Sequence, residues 1–384
     1  MKLISILFFI VSMFSFTSSA SVWTTTNTWN TQWENKYSEW VKNDVKTSIF
    51  TSGRYADLDT DCADAVYTIR AIFAYENGLP FEFRNPNKYG QRFTNKISQF
   101  NRFSKSNDFR FRKFLNWMHR LISTYSLGYD TYSPKLNKQT IKPGMTFLLH
   151  KNHVYMIKDI DAIGIPELIS STVPRKVRNL DTDFMVPNPD QEEMTTDLGG
   201  FRAWRWPNQL FWSKTRLKAN DLYSNEQYLI FQKSEEENED YDFEDVISFT
   251  ISGGIKESTE DKIQRYITLV MDQLKERVEI VQAGHAFFSQ PNRTFNAQDY
   301  YNHSTPSRDS RIVEAVYSLV ELNDELLMEG ENNKDILKAT LENETLTIAP
   351  GKKVNAYKLI LRLYSDDNVL SGNPYHSIER RWGL

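Results

Sequence analysis

Cys62 is the only cysteine among 384 residues, and it stands in the run Thr60-Asp61-Cys62-Ala63-Asp64. Val66, Ile69 and Phe73 share its face at helical spacing, with Ala65 and Ile72 beside them. Asp61 is placed to cap free amides at the helix start, and Asn77-Gly78-Leu79-Pro80 ends the helix. The thiol therefore falls in a first helical turn, where the amides and the dipole favour thiolate. Asp57, Asp59 and Asp61 oppose that ionisation. A lone cysteine also serves as a small core hydrophobe, so a nucleophile and an inert packing residue are both open readings. The partner a nucleophile needs is His153, at the start of a β-rich run, with His150 as the rival just before it. In that pairing Cys62 attacks a carbonyl, His153 serves as base and returns the proton to the leaving amine, and the Cys62 amide supplies one oxyanion donor.

The elements that must position these residues follow from the pattern around them. Pro143-Gly144 is a turn, and two β-rich runs then flank the short polar stretch before His153. Ala162 to Pro166 is a further turn and Glu167 to Thr172 a third strand. Antiparallel pairing across that turn sets His153 opposite a residue near Thr172.

The chain opens Met1-Lys2, continues with an apolar run from Leu3 to Phe16, and then reads Thr17-Ser18-Ser19-Ala20. This predicts an export signal over 1–20 cleaved after Ala20, and a periplasmic or extracellular product. No cysteine follows the run to carry a lipid, and no later stretch is long enough to span a bilayer, so no transmembrane anchor is expected. Exported proteins use cysteines in pairs, which marks an odd one as a candidate reactive thiol. Net charge is −4, which selects no partner, and export argues against nucleic acid.

Trp29, Trp33, Tyr37 and Trp40 predict a short amphipathic helix packed on the first domain. Asp57 to Asp61 resembles a calcium loop only briefly, because Cys62 and Thr68 stand where glycine and glutamate are needed. Neither a metal nor a cofactor is expected. Residues 84–121 interleave basic and aromatic side chains; helices with a phenylalanine core face and a solvated basic face are preferred to a groove for an anionic polymer. Arg202, Trp204, Arg205 and Trp206 form a cluster that is either structural stacking or a substrate-facing rim. The acidic run at 236–245 reads as a solvated linker. Long helices are predicted over 260–284 and 311–328, with strands or a short helix closing the chain.

Two stretches carry a family resemblance. Asp61-Cys62 opening a helix, with Pro143-Gly144 leading to His153-Val154-Tyr155, resembles the NlpC/P60 cell-wall peptidases. Cys62, Ala65, Arg70 and Gly78-Leu79-Pro80 are similar to the transglutaminase core. Both families share the papain-like superfold, and the resemblance covers roughly 50–175. It departs in having Ala63-Asp64 after the cysteine and Met145 after Pro-Gly, and no histidine follows His153 until His285. The transglutaminase aspartate falls on Ser170, whose hydroxyl would orient the imidazole without stabilising its cation as a carboxylate does. Tyr55, shortly before Cys62, is a candidate oxyanion donor or a core residue.

The expected fold is α+β: a papain-like domain over 21–235, the acidic linker at 236–245, and a mainly helical domain over 246–384. The resemblance implies catalysis by Cys62, His153 and Ser170, with Tyr55 beside them; the aromatic–arginine cluster adds Trp204 and Trp206 as candidate substrate contacts. The expected activity is a thiol hydrolase cleaving amide or isopeptide bonds in peptidoglycan stem peptides or an envelope protein. The alternatives are amide transfer of transglutaminase type, and a non-catalytic envelope protein that binds peptide or glycan.

Overall fold

A computed structural model of the protein describes residues 21–103, 106–187, 189, 191–236, 243–291, 294–296, 299–300, 306–330, 334–365 and 375–384. The expected export signal at 1–20, Lys105 of the basic segment, His303 and 237–242 of the acidic run lie outside them. The architecture is mixed α+β, with a small antiparallel sheet and many helices.

In chain order the first part contains α1 (Thr31–Asn43), α2 (Cys62–Glu76), the hairpin β1 (Glu82–Arg84) and β2 (Arg92–Thr94), α3 (Asn107–Met118), α4 (Thr124–Asp130) and β3 (Thr131–Tyr132). There follow β4 (Thr146–Leu149), β5 (His153–Ile160), β6 (Pro166–Ser170), β7 (Asp181–Asp183), α5 (Gln191–Thr195), β8 (Gly200–Trp204), α6 (Lys214–Lys218), α7 (Glu226–Glu236) and α8 (Phe243–Ser252). The second part has α9 (Thr259–Phe288), α10 (Pro306–Glu329), α11 (Ile336–Leu341), the hairpin β9 (Thr345–Ala349) and β10 (Lys352–Asn355), α12 (Ala356–Ser365) and α13 (Ile378–Arg381). The predicted long helices are present, α9 running past its expected C-terminal end to Phe288 and α10 starting ahead of its expected N-terminal end at Pro306.

Six strands form one antiparallel sheet in the order β3-β8-β4-β5-β6-β7. Alternation along β5 gives the sheet two different faces. Val154 and Met156, with Leu148 of β4 and Ile169 of β6, join the α2 residues Cys62, Val66 and Ile69 in one core. Tyr155 and Ile157, with Phe147, Leu168 and Phe201, form a second core on the other face, which also takes Phe243, Ile247 and Ile251 of α8. Met156 pairs with Ile169 and Ile157 with Leu168. The strand β6 ends at Ser170, short of the expected Thr172, and His153 pairs with Leu149 of β4 rather than with a residue of β6.

The helix α2 starts as its sequence requires. The Asp61 carboxylate accepts the Asp64 amide at 3.0 Å, and the Asp64 carboxylate accepts the Asp61 amide at 3.3 Å, a reciprocal cap. The tryptophan helix α1 is held to α2 by Arg70, whose guanidinium lies 3.6 Å from the Trp29 ring centre and 4.3 Å from that of Tyr37. Arg70 donates twice to Glu34, at 2.8 Å each. Gly144, at φ +86°, leaves room for the Tyr37 ring, since a Cβ there would come within 2.3 Å of it.

The basic segment keeps a solvated face, with Lys88, Arg92, Lys96, Arg102 and Arg120 exposed, while several of its arginines also bond back to the protein. Arg110 donates to the Ser21 carbonyl at 2.9 Å, Arg112 to the Ala56 carbonyl at 2.9 Å, and Arg92 pairs with Glu82 at 2.9 Å. Phe111 and Phe114 are buried beneath it.

The acidic run differs from a solvated linker over its described residues. Glu244 is buried; it accepts the Val186 amide at 2.9 Å and the Tyr266 hydroxyl at 2.7 Å, and pairs with Arg265 at 3.2 Å. Buried neighbours turn this carboxylate into a tie between the sheet and α9. The helix α8 likewise belongs with the sheet: Gly164, at the β5–β6 turn, sits so close that a Cβ would fall 2.2 Å from the Ser248 carbonyl oxygen. The third core is formed by α9, α10, α12 and the β9–β10 hairpin. Among the described residues no helix is long and apolar enough to cross a membrane.

Candidate functional site

The start of α2 holds the thiol. Cys62 is buried, and burial is the main reason its thiol is pushed up to about 12, with the charges of Asp61 and Asp64 adding to the shift. Amides of the first turn act the other way but do not prevail. The predicted advantage of a helix start is therefore reversed: at neutral pH Cys62 is a thiol.

His153 does not face that thiol. It alternates with Val154, which lies in the α2 core, and its ring stands edge-on to Tyr155 at 4.6 Å between centroids, on the other face of the sheet. Ser170 lies on the face of Tyr155 as well, pairs with Asp181 across β6–β7, and lines a cleft beneath α9 and α10. Its neighbour Ser171 turns to the cysteine side, where its hydroxyl donates to the Thr60 carbonyl at 3.1 Å. Thus the structure brings Ser170 to the His153 face but leaves Cys62 on the opposite one.

The expected substrate contacts are engaged inside the protein. The Tyr55 hydroxyl donates to Glu76 at 2.8 Å. The Trp204 indole donates to the Gly144 carbonyl at 3.0 Å, and Trp206 donates to Glu34 at 2.8 Å. The rival His150 is buried and stacks on Tyr125 at 4.9 Å.

A polar group that the sequence reading did not single out occupies the other flank of the α2 start. Arg175 donates to His119 Nδ1 at 2.7 Å, so the ring proton sits on Nε2 and is directed at the Thr68 hydroxyl, also 2.7 Å away. Arg175 Nε lies 3.3 Å from the Asp64 carboxylate and 3.2 Å from that of Asp59. Burial pushes the Asp64 carboxyl up to about 8, with Asp61 adding to the shift and Arg175 opposing it. Burial pushes the His119 imidazole down to about 3, and the charges of Arg175 and Arg120 act in the same direction. The only cue in the sequence was Asp64 and Thr68 at helical spacing on the flank away from the apolar stripe. A neutral imidazole held at both nitrogens is a structural hydrogen-bonding group, not a base ready for a substrate.

Among the described residues no three histidine, cysteine, aspartate or glutamate side chains converge as a metal site. No protein-family model, curated protein or solved structure matches the chain.

Proposed function

We propose that the chain is a non-catalytic binding protein of the cell envelope, exported and built on a papain-like scaffold, which holds peptide or glycan without cleaving it. The papain-like reading draws support from a cysteine-bearing helix packed on an antiparallel sheet. The observation that carries the binding reading is the placement of Cys62 and His153 on opposite faces of that sheet. A thiol pushed up to about 12, with His153 on the other face and the nearby His119 engaged at both nitrogens by Arg175 and Thr68, does not supply thiolate near neutrality. The test compares wild type with Cys62→Ala on purified sacculi and isolated stem peptides. The expected result is equal binding and no released fragments by mass spectrometry. Fragments released by wild type and lost in Cys62→Ala would establish a thiol hydrolase instead. Cysteine-dependent incorporation of an added amine would establish amide transfer.

A further inference from the structure

We propose that the cleft between the Tyr155 face of the sheet and helices α9 and α10 binds the end of an alkylammonium chain, a primary amine such as the side-chain end of a diamino acid in a peptide. This rests on the binding reading above. The cavity measures about 60 Å³, room for a few non-hydrogen atoms. Its walls combine apolar surface from Ile280 and Ile312 with oxygen acceptors from Asp181, Asp183 and Gln273.

The charges favour an ammonium over an anion. Arg277 is engaged elsewhere, its guanidinium donating to Asp309 at 2.6 Å through Nε. Arg311 donates to the Tyr155 hydroxyl at 3.2 Å and faces the two aspartates, so an incoming anion meets carboxylate as well as guanidinium. Asp183 is 9% exposed; one of its oxygens accepts the Met185 amide at 3.0 Å. Gln273 Oε1 is buried and, among the described residues, accepts no hydrogen bond. A buried acceptor left without a donor is costly, and an ammonium brings three donors on one small group. The two isoleucines suit the methylenes behind it.

The test uses the full chain and N-acetyl-lysine amide as probe, at fixed ionic strength. N-acetyl-norleucine amide, which keeps the alkyl chain without the amine, and sodium chloride are the controls. The lysine probe should raise the melting temperature in a dose-dependent way and shift amide resonances of Tyr155 and Ser170. Asp183→Asn and Gln273→Leu should each weaken binding tenfold or more. Gln273 is only partly buried, so its variant keeps the question open to measurement if Asp183→Asn fails to fold. An equal response to norleucine or to salt, no response at all, or a response unchanged in Gln273→Leu, overturns the proposal. Sacculus binding by Cys62→Ala is measured separately, so failure of the amine site is told apart from failure of the binding reading.

Discussion

The His153 ring packs edge-on against Tyr155 at 4.6 Å, and this contact commits the histidine to the face of the sheet away from Cys62. Because side chains alternate along a strand, no rotamer change at His153 transfers it to the cysteine face. A one-residue slip of β5 would do so, at the cost of moving Tyr155 and Ile157 out of their core.

The thiol should accordingly be unreactive in the folded protein. Iodoacetamide near pH 8 should label native Cys62 roughly 100-fold more slowly than a model thiol, since the thiolate is scarce and the sulfur buried. Denaturation should restore ordinary reactivity. His153→Ala should leave the native rate unchanged. Fast native labelling that depends on His153 would contradict the face assignment.

Asp64 and His119 make opposite contributions to stability as pH changes. The folded Asp64 carboxyl keeps its proton up to about 8, against an ordinary value of 3.8, so its contribution is complete at low pH and is lost as pH rises towards 8. The folded imidazole refuses a proton until about 3, against 6.5, so its contribution is lost as pH falls from 6.5 to 3. Between pH 3.8 and 6.5 the two slopes cancel; above pH 6.5 the carboxyl acts alone. Asp64→Asn cannot ionise. Its stability relative to wild type should therefore rise from pH 4 to 8, by up to about 1.4 kcal/mol per unit. Urea denaturation of both proteins across that range checks it, and the comparison removes contributions from Asp130 and Asp183, which are common to both. A constant difference would mean that Asp64 is ionised in the fold.

Much of the frame around Cys62 was legible because it rests on local rules. Asp61 and Asp64 cap α2, Gly78 and Pro80 end it, and the turn near Gly164 sets the β5–β6 register. The face of His153 was not legible. Near-continuous apolar residues from Val154 to Ile157 show a strand buried on both sides and leave open which side receives the cysteine helix. His119 and Arg175 were equally hidden, since residues so distant in sequence meet Asp64 only through the tertiary fold. Glu244 looked like part of a solvated run because composition carries no information about the Val186 amide or the Tyr266 hydroxyl that it meets.

Arg70 should be a stability determinant of the first part. Its guanidinium lies between Trp29 and Tyr37 and makes a bidentate pair with Glu34, while Trp206 donates to the same carboxylate. Arg70→Ala leaves that carboxylate without its main partner and should cost on the order of 3 kcal/mol. Arg70→Lys keeps the charge but loses the planar fork, and should still cost on the order of 1 kcal/mol. Glu34→Gln combined with Arg70→Ala should recover part of the loss. Chemical denaturation of the three variants checks the order.

Glu244 joins two of the hydrophobic cores through one carboxylate. It accepts the Val186 amide from the sheet side and the Tyr266 hydroxyl from α9, and faces the Arg265 guanidinium, which also bonds Glu257 at 2.8 Å. Removing it leaves a buried amide and a buried hydroxyl without an acceptor and takes one of two carboxylates from Arg265. Glu244→Ala should cost about 3 kcal/mol. Glu244→Gln keeps one acceptor oxygen and should cost less. The consequence extends beyond a lower melting point: once this tie is weakened, the α9–α10 core should melt apart from the sheet. Tryptophan emission, followed in a Trp382→Phe background so that it reports the first part, and far-ultraviolet circular dichroism, weighted towards the long helices, should give one transition with Glu244 intact and separate in Glu244→Ala. Coincident transitions in the variant would show that the cores are held together by contacts other than Glu244.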